Sequence, residues 1–375
     1  MPDYSSDPRA VMTLDAGGTN FVFSAIRGNE TAVDPFALAA CGDQLQASLG
    51  ALVAGFERVR RELDRPPVAI SFAFPGPADY THGIVLGPRN LPAYRDIPLV
   101  AFLEERFQLP AFINNDGDLF TVGEAASGLL PYINGLLERS GSSKRFRNLI
   151  GVTLGTGFGG GIVQNGELFR GDNSAAGEVW LLRHKHHSDW NIEEGASIRA
   201  VMRRYAECSG SQAPEPRVIA EIDAGRSDGD QAAAREAFRY LGEIAGDGLA
   251  IANTILDGLI VIGGGMAAAF PLFLPALVDE MNSYYTSPGG ERFQRLIPRV
   301  FNLEDPVELD RLVRGELKDY TIPGTNRRVS YDGLLRTGVG ITRLGTSQAV
   351  AIGAYAHALR HLDDNRERWP LRDRT

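Results

Sequence analysis

The sequence predicts an α/β protein built from two lobes, and three observations support that prediction. Runs of β-branched and apolar residues, typical of buried strands, alternate with longer segments of helical periodicity. The chain has 375 residues, more than a single hydrophobic core usually supports. Each half also opens with a strand, a glycine-rich turn and a second strand, which indicates a duplicated unit. We expect a small lobe over residues 1–117, completed by a C-terminal helix at about 346–362, and a larger lobe over 118–345.

Composition and charge narrow the class of protein. Hydrophobic residues make up 43% and charged residues 23%, which is ordinary for a globular protein and argues against disorder. The net charge of −9 disfavours a nucleic-acid-binding surface, which needs a basic stripe. Cys41 and Cys208 are far apart and suit a reducing compartment. Since we find no signal-peptide pattern and no run of roughly 18 apolar residues, we expect a cytoplasmic protein without a membrane or nucleic-acid partner.

The individual elements follow from periodicity and from turn residues. Residues 11–26 are expected to form a β-hairpin, and Asn165-Gly166 between apolar residues indicates another. The further elements expected are helices over 44–63, 98–107, 119–128, 231–256, 266–283 and 348–362, and strands over 68–74, 111–114, 149–154 and 259–262. Residues 287–335 break this order with scattered proline, glycine and charge, which indicates an insertion or an extended strand pair.

The first glycine-rich turn is Asp15-Ala16-Gly17-Gly18-Thr19. Glycines let backbone N–H groups approach an anion closely, and a threonine can add its hydroxyl. Asp15, at the end of a strand, suits a hydrated Mg²⁺, which prefers few carboxylates plus phosphate oxygens. A tight hairpin turn is the alternative explanation for the same residues.

The second turn, at 155–161, matches the spacing of a dinucleotide-binding fingerprint. That fingerprint requires a helix directly after the glycines, whereas a β-branched run and an Asn-Gly turn follow here. We therefore predict a hairpin instead. Five glycines in seven residues still suit phosphate, because a turn alone needs fewer. The third cluster, 263–265, joins a buried strand to a helix, which favours either an anionic ligand at the helix N-terminus or close packing.

These three turns, in this order and separation, resemble those of the ROK family of sugar kinases and sugar-responsive repressors. The resemblance runs from Val11 to about Leu362 and rests on segments 14–20, 154–161 and 260–265. It implies two actin-like (ribonuclease H-like) lobes, with ATP and a sugar bound in the cleft between them. The ATP- or phosphate-binding residues that it implies are Asp15, Gly17, Gly18, Thr19, Asn20, Gly155, Thr156, Gly157, Gly263, Gly264 and Gly265.

The catalytic aspartate of the family lies in an Asn-Asp pair at the end of a strand, and Asn115-Asp116 is similar to that pair. A sugar hydroxyl that attacks a γ-phosphate needs a carboxylate to orient it and accept its proton. The resemblance therefore implies that Asp116 is the general base. The alternative is a helix N-cap, since an aspartate before the helix expected at 119–128 would serve as one.

Further sugar contacts are implied by the same resemblance. Asn90 resembles the asparagine of the family's Asn-Leu-Pro segment, Glu178 the glutamate of its Gly-Glu pair, and Glu193 a glutamate further on. With Asn115 and Asp116 they would orient a polyhydroxyl ligand by polar contacts of fixed geometry. For Glu178 and Glu193 the alternative is a surface carboxylate.

The chain departs from the family at its usual zinc site, which uses one histidine and three cysteines. No cysteine lies between Cys41 and Cys208, and Leu181 replaces the histidine. Three histidines lie nearby in a charged loop: His184, His186 and His187. Without thiolates we expect them to be solvated and to bind no zinc. The loop then needs other support, which Trp180 and Trp190 could provide.

The resulting expectation is a Mg-ATP-dependent kinase that phosphorylates a hexose or an N-acylhexosamine, resembling glucokinases. The alternative is a non-catalytic sugar-binding or sugar-responsive regulatory protein of the same family. DNA binding is disfavoured because only about ten residues precede the first expected strand and the chain is acidic. A homodimer or homotetramer is expected by analogy with the family.

Overall fold

The computed structural model describes residues 2–364, which divide into two compact units. One unit comprises the described residues up to Gly128, Gly161–Gly177 and those from Arg343 onward, and the other comprises Leu129–Gly160 and Glu178–Thr342. The lobe boundary expected after residue 117 stays a prediction.

The elements of the chain follow in order. In the first part they are β1 (Ala10–Ala16), β2 (Asn20–Arg27), β3 (Glu30–Ala39), α1 (Leu45–Glu62), β4 (Ala69–Ala73), β5 (Ala78–Asp79), β6 (Ile84–Leu86), β7 (Arg95–Pro98), α2 (Leu99–Phe107), β8 (Ala111–Asn114) and α3 (Asp116–Ala126). They continue as α4 (Leu129–Arg139), β9 (Leu149–Leu154), β10 (Phe158–Gln164), β11 (Glu167–Leu168), α5 (Ile198–Ser209), α6 (Pro216–Asp223), α7 (Gln231–Leu256), β12 (Leu259–Gly263) and α8 (Phe270–Met281). The last are β13 (Tyr284–Thr286), β14 (Arg292–Gln294), β15 (Arg299–Asn302), α9 (Pro306–Arg314), β16 (Leu317–Thr321), β17 (Arg328–Asp332), β18 (Arg336–Ile341) and α10 (Thr346–Asp363).

The first unit is built on a five-stranded sheet in the order β3-β2-β1-β4-β8. The strands β1, β4 and β8 run parallel, so their carboxyl ends meet at one edge. Strands β1 and β4 are almost entirely buried, and their apolar runs match strands covered on both faces. Aromatic side chains fill the core on the side of α1, where Phe23 meets Phe56 edge to face with ring centres 5.2 Å apart.

Two glycines let α3 and α10 approach closely in the same unit. A methyl group at Gly123 would lie 1.9 Å from the carbonyl oxygen of Ala349, and one at Gly353 would lie 1.8 Å from that of Leu119. No side chain fits at those distances, so the helix backbones themselves are in contact. This contact positions α3, and therefore Asp116 at its first turn.

In the second unit, strands β9, β12, β18 and β15 lie side by side in that order and all run parallel. The long helix α7 buries the apolar residues of one face, and its Gly242 and Gly246 pack directly on the backbone of α8. The turns after β9 and β12 therefore lie at the same end of these strands.

The α/β class predicted from the sequence is confirmed, and two local predictions are wrong. Helix α3 begins at Asp116, three residues earlier than expected, because Asn115 caps it. Residues 287–335 are not a single insertion or strand pair. Strand β15 joins the parallel strands beside β18, and Leu312 of α9 is fully buried, while only β13–β14 and β16–β17 form separate hairpins. Among residues 2–364 no helix is long and apolar enough to cross a membrane.

Candidate active site

The first glycine-rich turn connects β1 to β2 and lies against Asn90. The N–H of Gly17 donates to the carbonyl oxygen of Asn20 at 3.0 Å and closes the turn. Neither Gly17 nor Gly18 has a positive φ, so left-handed backbone does not explain them. A methyl group at Gly18 would instead lie 2.8 Å from Cβ of Asn90. The exposed Thr19 donates no side-chain hydrogen bond to a described residue, and the turn remains open to a ligand.

Two carboxylates meet at the carboxyl edge of the first sheet. Asp15 is opposite Ala73 of β4, and Ala73 is opposite Asn114 of β8, which places Asp116 two residues beyond the same row. Burial raises the pKa of Asp15 to about 6, with a further contribution from the negative charge of Asp116. Within residues 2–364 the Asp15 carboxylate has no hydrogen bond or ion pair. A half-buried carboxylate next to another one is a favourable position for a cation.

The N-cap of α3 is Asn115, whose side-chain oxygen accepts the N–H of Asp118 at 2.6 Å. Asp116 is the first residue of the helix itself, and its carboxylate accepts the N–H of Gly117 at 2.9 Å. Although much of this residue is exposed, protein surrounds the carboxylate closely enough for desolvation to raise its pKa. The capping alternative for Asp116 is therefore wrong, since Asn115 performs that role. The carboxylate of Asp116 remains available for chemistry.

The second turn, between β9 and β10, is held by Glu193. One carboxylate oxygen of Glu193 accepts the N–H of Phe158 at 3.0 Å, and the other pairs with Arg199 at 3.1 Å. Arg199 also donates to the carbonyl oxygen of Thr156 at 3.2 Å. A methyl group at Gly157 would lie 2.6 Å from the same Glu193 carboxylate. Glu193 is thus no solitary surface carboxylate, because it fixes the conformation of the turn.

Packing accounts for more of the glycines in this turn than the sequence suggested. Besides Gly157, a methyl group at Gly159 would lie 2.6 Å from the hydroxyl of Thr153, and one at Gly161 would lie 2.6 Å from the carbonyl oxygen of Gly117. Phosphate binding is therefore not needed to explain these three. Gly155 differs, because its nearest neighbour would be the backbone nitrogen of Gly265, at 3.9 Å.

The third turn shows both of the roles considered for it. Gly264 has φ +86°, and a methyl group there would lie 2.3 Å from the carbonyl oxygen of Leu154, so the fold itself requires glycine. Gly263 ends β12 and is buried in the sheet. Gly265 is exposed, and no atom of the described residues lies within 4 Å of the space that a methyl group would fill. Gly155 and Gly265 therefore lie together beside free space that a ligand could approach.

Of the remaining predicted sugar contacts, Glu178 lies in the second unit and Asn90 in the first. The half-buried Glu178 accepts a short hydrogen bond from the indole N–H of Trp180. Asn90 is exposed. Sequence reasoning did not identify Arg199, the residue that joins Glu193 to the second turn. Its one signal is an arginine six positions after Glu193, which is too common a spacing to be informative.

Of the three histidines in the loop, His184 is packed rather than solvated, contrary to expectation, whereas His186 and His187 are exposed as expected. His184 is buried, lies 3.0 Å from the hydroxyl of Tyr240, and accepts the N–H of His186 at 3.1 Å. Burial lowers its pKa to about 4, so it is neutral at physiological pH. His187 stacks on Trp190 with ring centres 4.0 Å apart, which gives the tryptophan the supporting role expected of it. Among residues 2–364 no group of three His, Cys, Asp or Glu side chains is arranged to hold a metal.

The chain is similar to solved structures of glucokinases. A crystal structure of glucokinase from Parabacteroides distasonis is 51% identical, has a TM-score of 0.87, and covers 96% of this chain and 99% of its own. A ROK glucokinase from Streptomyces griseus, solved with glucose and AMPPNP, has the same fold with a TM-score of 0.61 at 22% identity, over 92% of this chain and 98% of its own. The fold is the two-lobed actin-like ATPase fold.

The family follows from the sequence match as well. Residues 11–306 match the ROK family, and the chain belongs to that family. The N-acetyl-D-glucosamine kinase of Vibrio cholerae is 26% identical over 270 residues, which cover 68% of this chain and 83% of that protein. The resemblance recognised in the glycine-rich turns is confirmed.

Proposed function

We propose that this protein is an ATP-dependent sugar kinase that phosphorylates a hexose or an N-acylhexosamine. The main support for this proposal is the pair of carboxylates at the carboxyl edge of the first sheet. Asp116 is not engaged in helix capping, and Asp15 lies near it without a cationic partner among residues 2–364. Kinase names among the relatives, including the 51% identical glucokinase, support the same activity.

In the proposed reaction, Asp116 orients one sugar hydroxyl and accepts its proton as the hydroxyl oxygen attacks the γ-phosphorus of ATP. A bond forms between that oxygen and phosphorus while the bond to the β-phosphate oxygen breaks, and ADP leaves. The raised pKa of Asp116 makes it a stronger base than an ordinary aspartate. Its proton then passes to solvent.

The residues present suit Mg²⁺ and nucleotide phosphate. Asp15 would hold a hydrated Mg²⁺, which when bound neutralises charge on the phosphate oxygens. The half-buried carboxylate, which has no hydrogen-bond or ionic partner among residues 2–364, fits that role. Gly17, Gly18, Thr19 and Asn20 would approach phosphate from the first unit. In the second unit the corresponding residues would be Gly155, Thr156 and Gly157 for phosphate, and Gly263, Gly264 and Gly265 for the nucleotide, with free space beside Gly155 and Gly265.

The sugar contacts are proposed from the family pattern. Asn90 and Asn115 of the first unit would bind hydroxyl groups, and the bond of Asn115 to Asp118 leaves its amide nitrogen for that purpose. Glu178 and Glu193 of the second unit would accept hydrogen bonds from the sugar. We place the protein in the cytoplasm, where ATP is abundant and where the free, exposed Cys41 and Cys208 would stay reduced.

A coupled ADP-release assay with Mg-ATP against a panel of hexoses and N-acylhexosamines tests the proposal. We expect turnover with at least one sugar and none when Mg²⁺ is chelated. Sugar binding by calorimetry without turnover of any sugar would contradict the kinase activity and support a sugar-responsive binding protein. Sugar-independent ATP hydrolysis alone would also contradict it.

A further inference from the structure

A cavity of about 430 Å³ lies in the second unit, and none of the described residues that line it belongs to a glycine-rich turn. Its walls come from the loop 186–190 and from the helices α5 and α7. We call it the arginine cavity after the charged side chains in its walls, which are Arg203, Arg204, Arg239, Glu207 and Glu243. Small-molecule sites typically have volumes of roughly 300–1,000 Å³. The cavity is therefore large enough for a ligand the size of a sugar.

Aromatic rings hold two of the three guanidinium groups in place. The Cζ atom of Arg203 lies 5.0 Å from the centre of the Trp190 ring, and that of Arg204 lies 5.0 Å from the centre of the Tyr240 ring. A guanidinium above an aromatic face is attracted by the ring and keeps its N–H donors at its own edge. The donors are thus oriented before a ligand arrives, which lowers the entropic cost of binding one.

These two arginines have more N–H donors than their ion pairs use. A guanidinium group has five. Arg203 donates from its two Nη atoms to Glu194, and Arg204 donates from Nη2 to Glu236 at 2.7 Å. Neither of these glutamates is among the residues that line the cavity. Each guanidinium therefore has further donors for a ligand.

One carboxylate of the cavity is only loosely held between the same two arginines. The carboxylate of Glu207 lies 3.5 Å from Nη1 of Arg204 and 4.0 Å from Nε of Arg203, which is too far for good hydrogen bonds. Its side chain is 52% exposed, so an anionic ligand could take its place while Glu207 turns toward solvent. Glu243 differs, because Lys185 lies 2.7 Å from it and neutralises its charge.

We propose that the arginine cavity binds a phosphate monoester, with a phosphorylated sugar as the ligand class. The planar fork of an arginine matches two phosphate oxygens at once, and three arginines reach this one cavity. A free phosphate ion would leave most of the volume to water. The hydroxyl groups of a sugar can donate to the carboxylate of Glu243 and pair with the imidazole of His186, both of which line the cavity.

The arginine cavity is separate from the second glycine-rich turn, although both lie along α5. Arg199 donates to the carbonyl oxygen of Thr156 in that turn, whereas Arg203, one helical turn further along, lines the cavity. Glu194 lies between them and pairs with each at 3.1 Å. Binding at the cavity can be measured without turnover, so the inference does not depend on the proposed kinase activity.

Calorimetric titration of the full chain with glucose 6-phosphate, inorganic phosphate and glucose tests this. We expect glucose 6-phosphate to bind with a Kd below about 1 mM and inorganic phosphate to bind about tenfold more weakly. Introducing both Arg204→Gln and Arg239→Gln should weaken the binding of both phosphates at least tenfold and leave glucose binding unchanged. The control pair Arg217→Gln and Arg235→Gln removes the same charge from exposed positions on α6 and α7 and should bind like the wild type. Thermal unfolding of each variant checks that the core is intact.

A second variant separates ligand binding from damage to the fold. Glu207→Gln removes the carboxylate that competes with the ligand and should tighten the binding of glucose 6-phosphate about threefold or more, a gain that misfolding cannot produce. Unchanged or weaker binding in Glu207→Gln would overturn the proposal. So would the absence of binding by the wild type at about 10 mM glucose 6-phosphate, or binding that the two arginine substitutions leave intact. Equal affinity for inorganic phosphate would overturn the assignment to a phosphorylated sugar.

Discussion

Replacing Asp15 with asparagine removes a carboxylate whose ionised form is disfavoured by burial in the folded protein. The pKa of Asp15 is about 6, against an ordinary value of 3.8. Between these two values the folded state keeps a proton that the unfolded state releases, so stability falls as pH rises through this window and stays lower above it. A shift of about two units corresponds to about 3 kcal/mol at most. Since the side chain is half-buried and screened, we expect Asp15→Asn to gain about 1–2 kcal/mol at pH 8.

Unfolding without nucleotide, followed at pH 4 and pH 8, measures this gain. The variant should unfold a few degrees higher than the wild type at pH 8, and the difference should shrink at pH 4, while kinase activity falls. Asp34→Asn provides a control, because Asp34 is an exposed aspartate of the same sheet. Equal or lower stability of Asp15→Asn at pH 8, or a gain that does not depend on pH, would show that the ionised Asp15 carboxylate does not destabilise the folded protein.

Two further substitutions test the second turn and the helix contact. Glu193→Gln removes the ion pair with Arg199 and should raise KM for ATP about 5- to 30-fold, whereas Glu194→Gln, which leaves the bond to Phe158 intact, should not. A rise confined to KM for the sugar would contradict a role in the turn. Gly123→Ala should lower the free energy of unfolding by 2 kcal/mol or more, about the upper range for overpacking, because of the 1.9 Å approach to Ala349. The helical control Gly50→Ala, with free space around it, should gain up to about 1 kcal/mol in chemical denaturation; equal effects of the two would exclude a backbone contact.

The fold was predictable where periodicity was strong. The strands at 69–73 and 259–263 are mostly apolar, and α7 has a long amphipathic pattern, so the α/β class followed from them. The prediction for residues 287–335 was wrong because β15 is a four-residue strand between charged and proline-rich segments. Its place beside β18 depends on a pairing between residues distant in sequence, which local pattern does not show.

The roles of individual glycines and of the residues at the start of α3 could not be predicted from the sequence. The turns were recognised from glycine spacing, yet spacing does not show that Gly264 serves packing while Gly155 and Gly265 leave free space. Nor does sequence tell whether Asn115 or Asp116 caps α3, since both residue types cap well. The burial of His184 could not be predicted, because it depends on Tyr240, 56 positions away.

The substitution Asp116→Asn tests directly whether Asp116 is the general base of a sugar kinase. The substitution keeps the size of the side chain and the cap by Asn115. For a sugar identified in the panel, we expect kcat to fall by about 10²–10⁴ while calorimetry gives sugar affinity within a few-fold of the wild type. A near-wild-type kcat in that variant would show that Asp116 is not the general base.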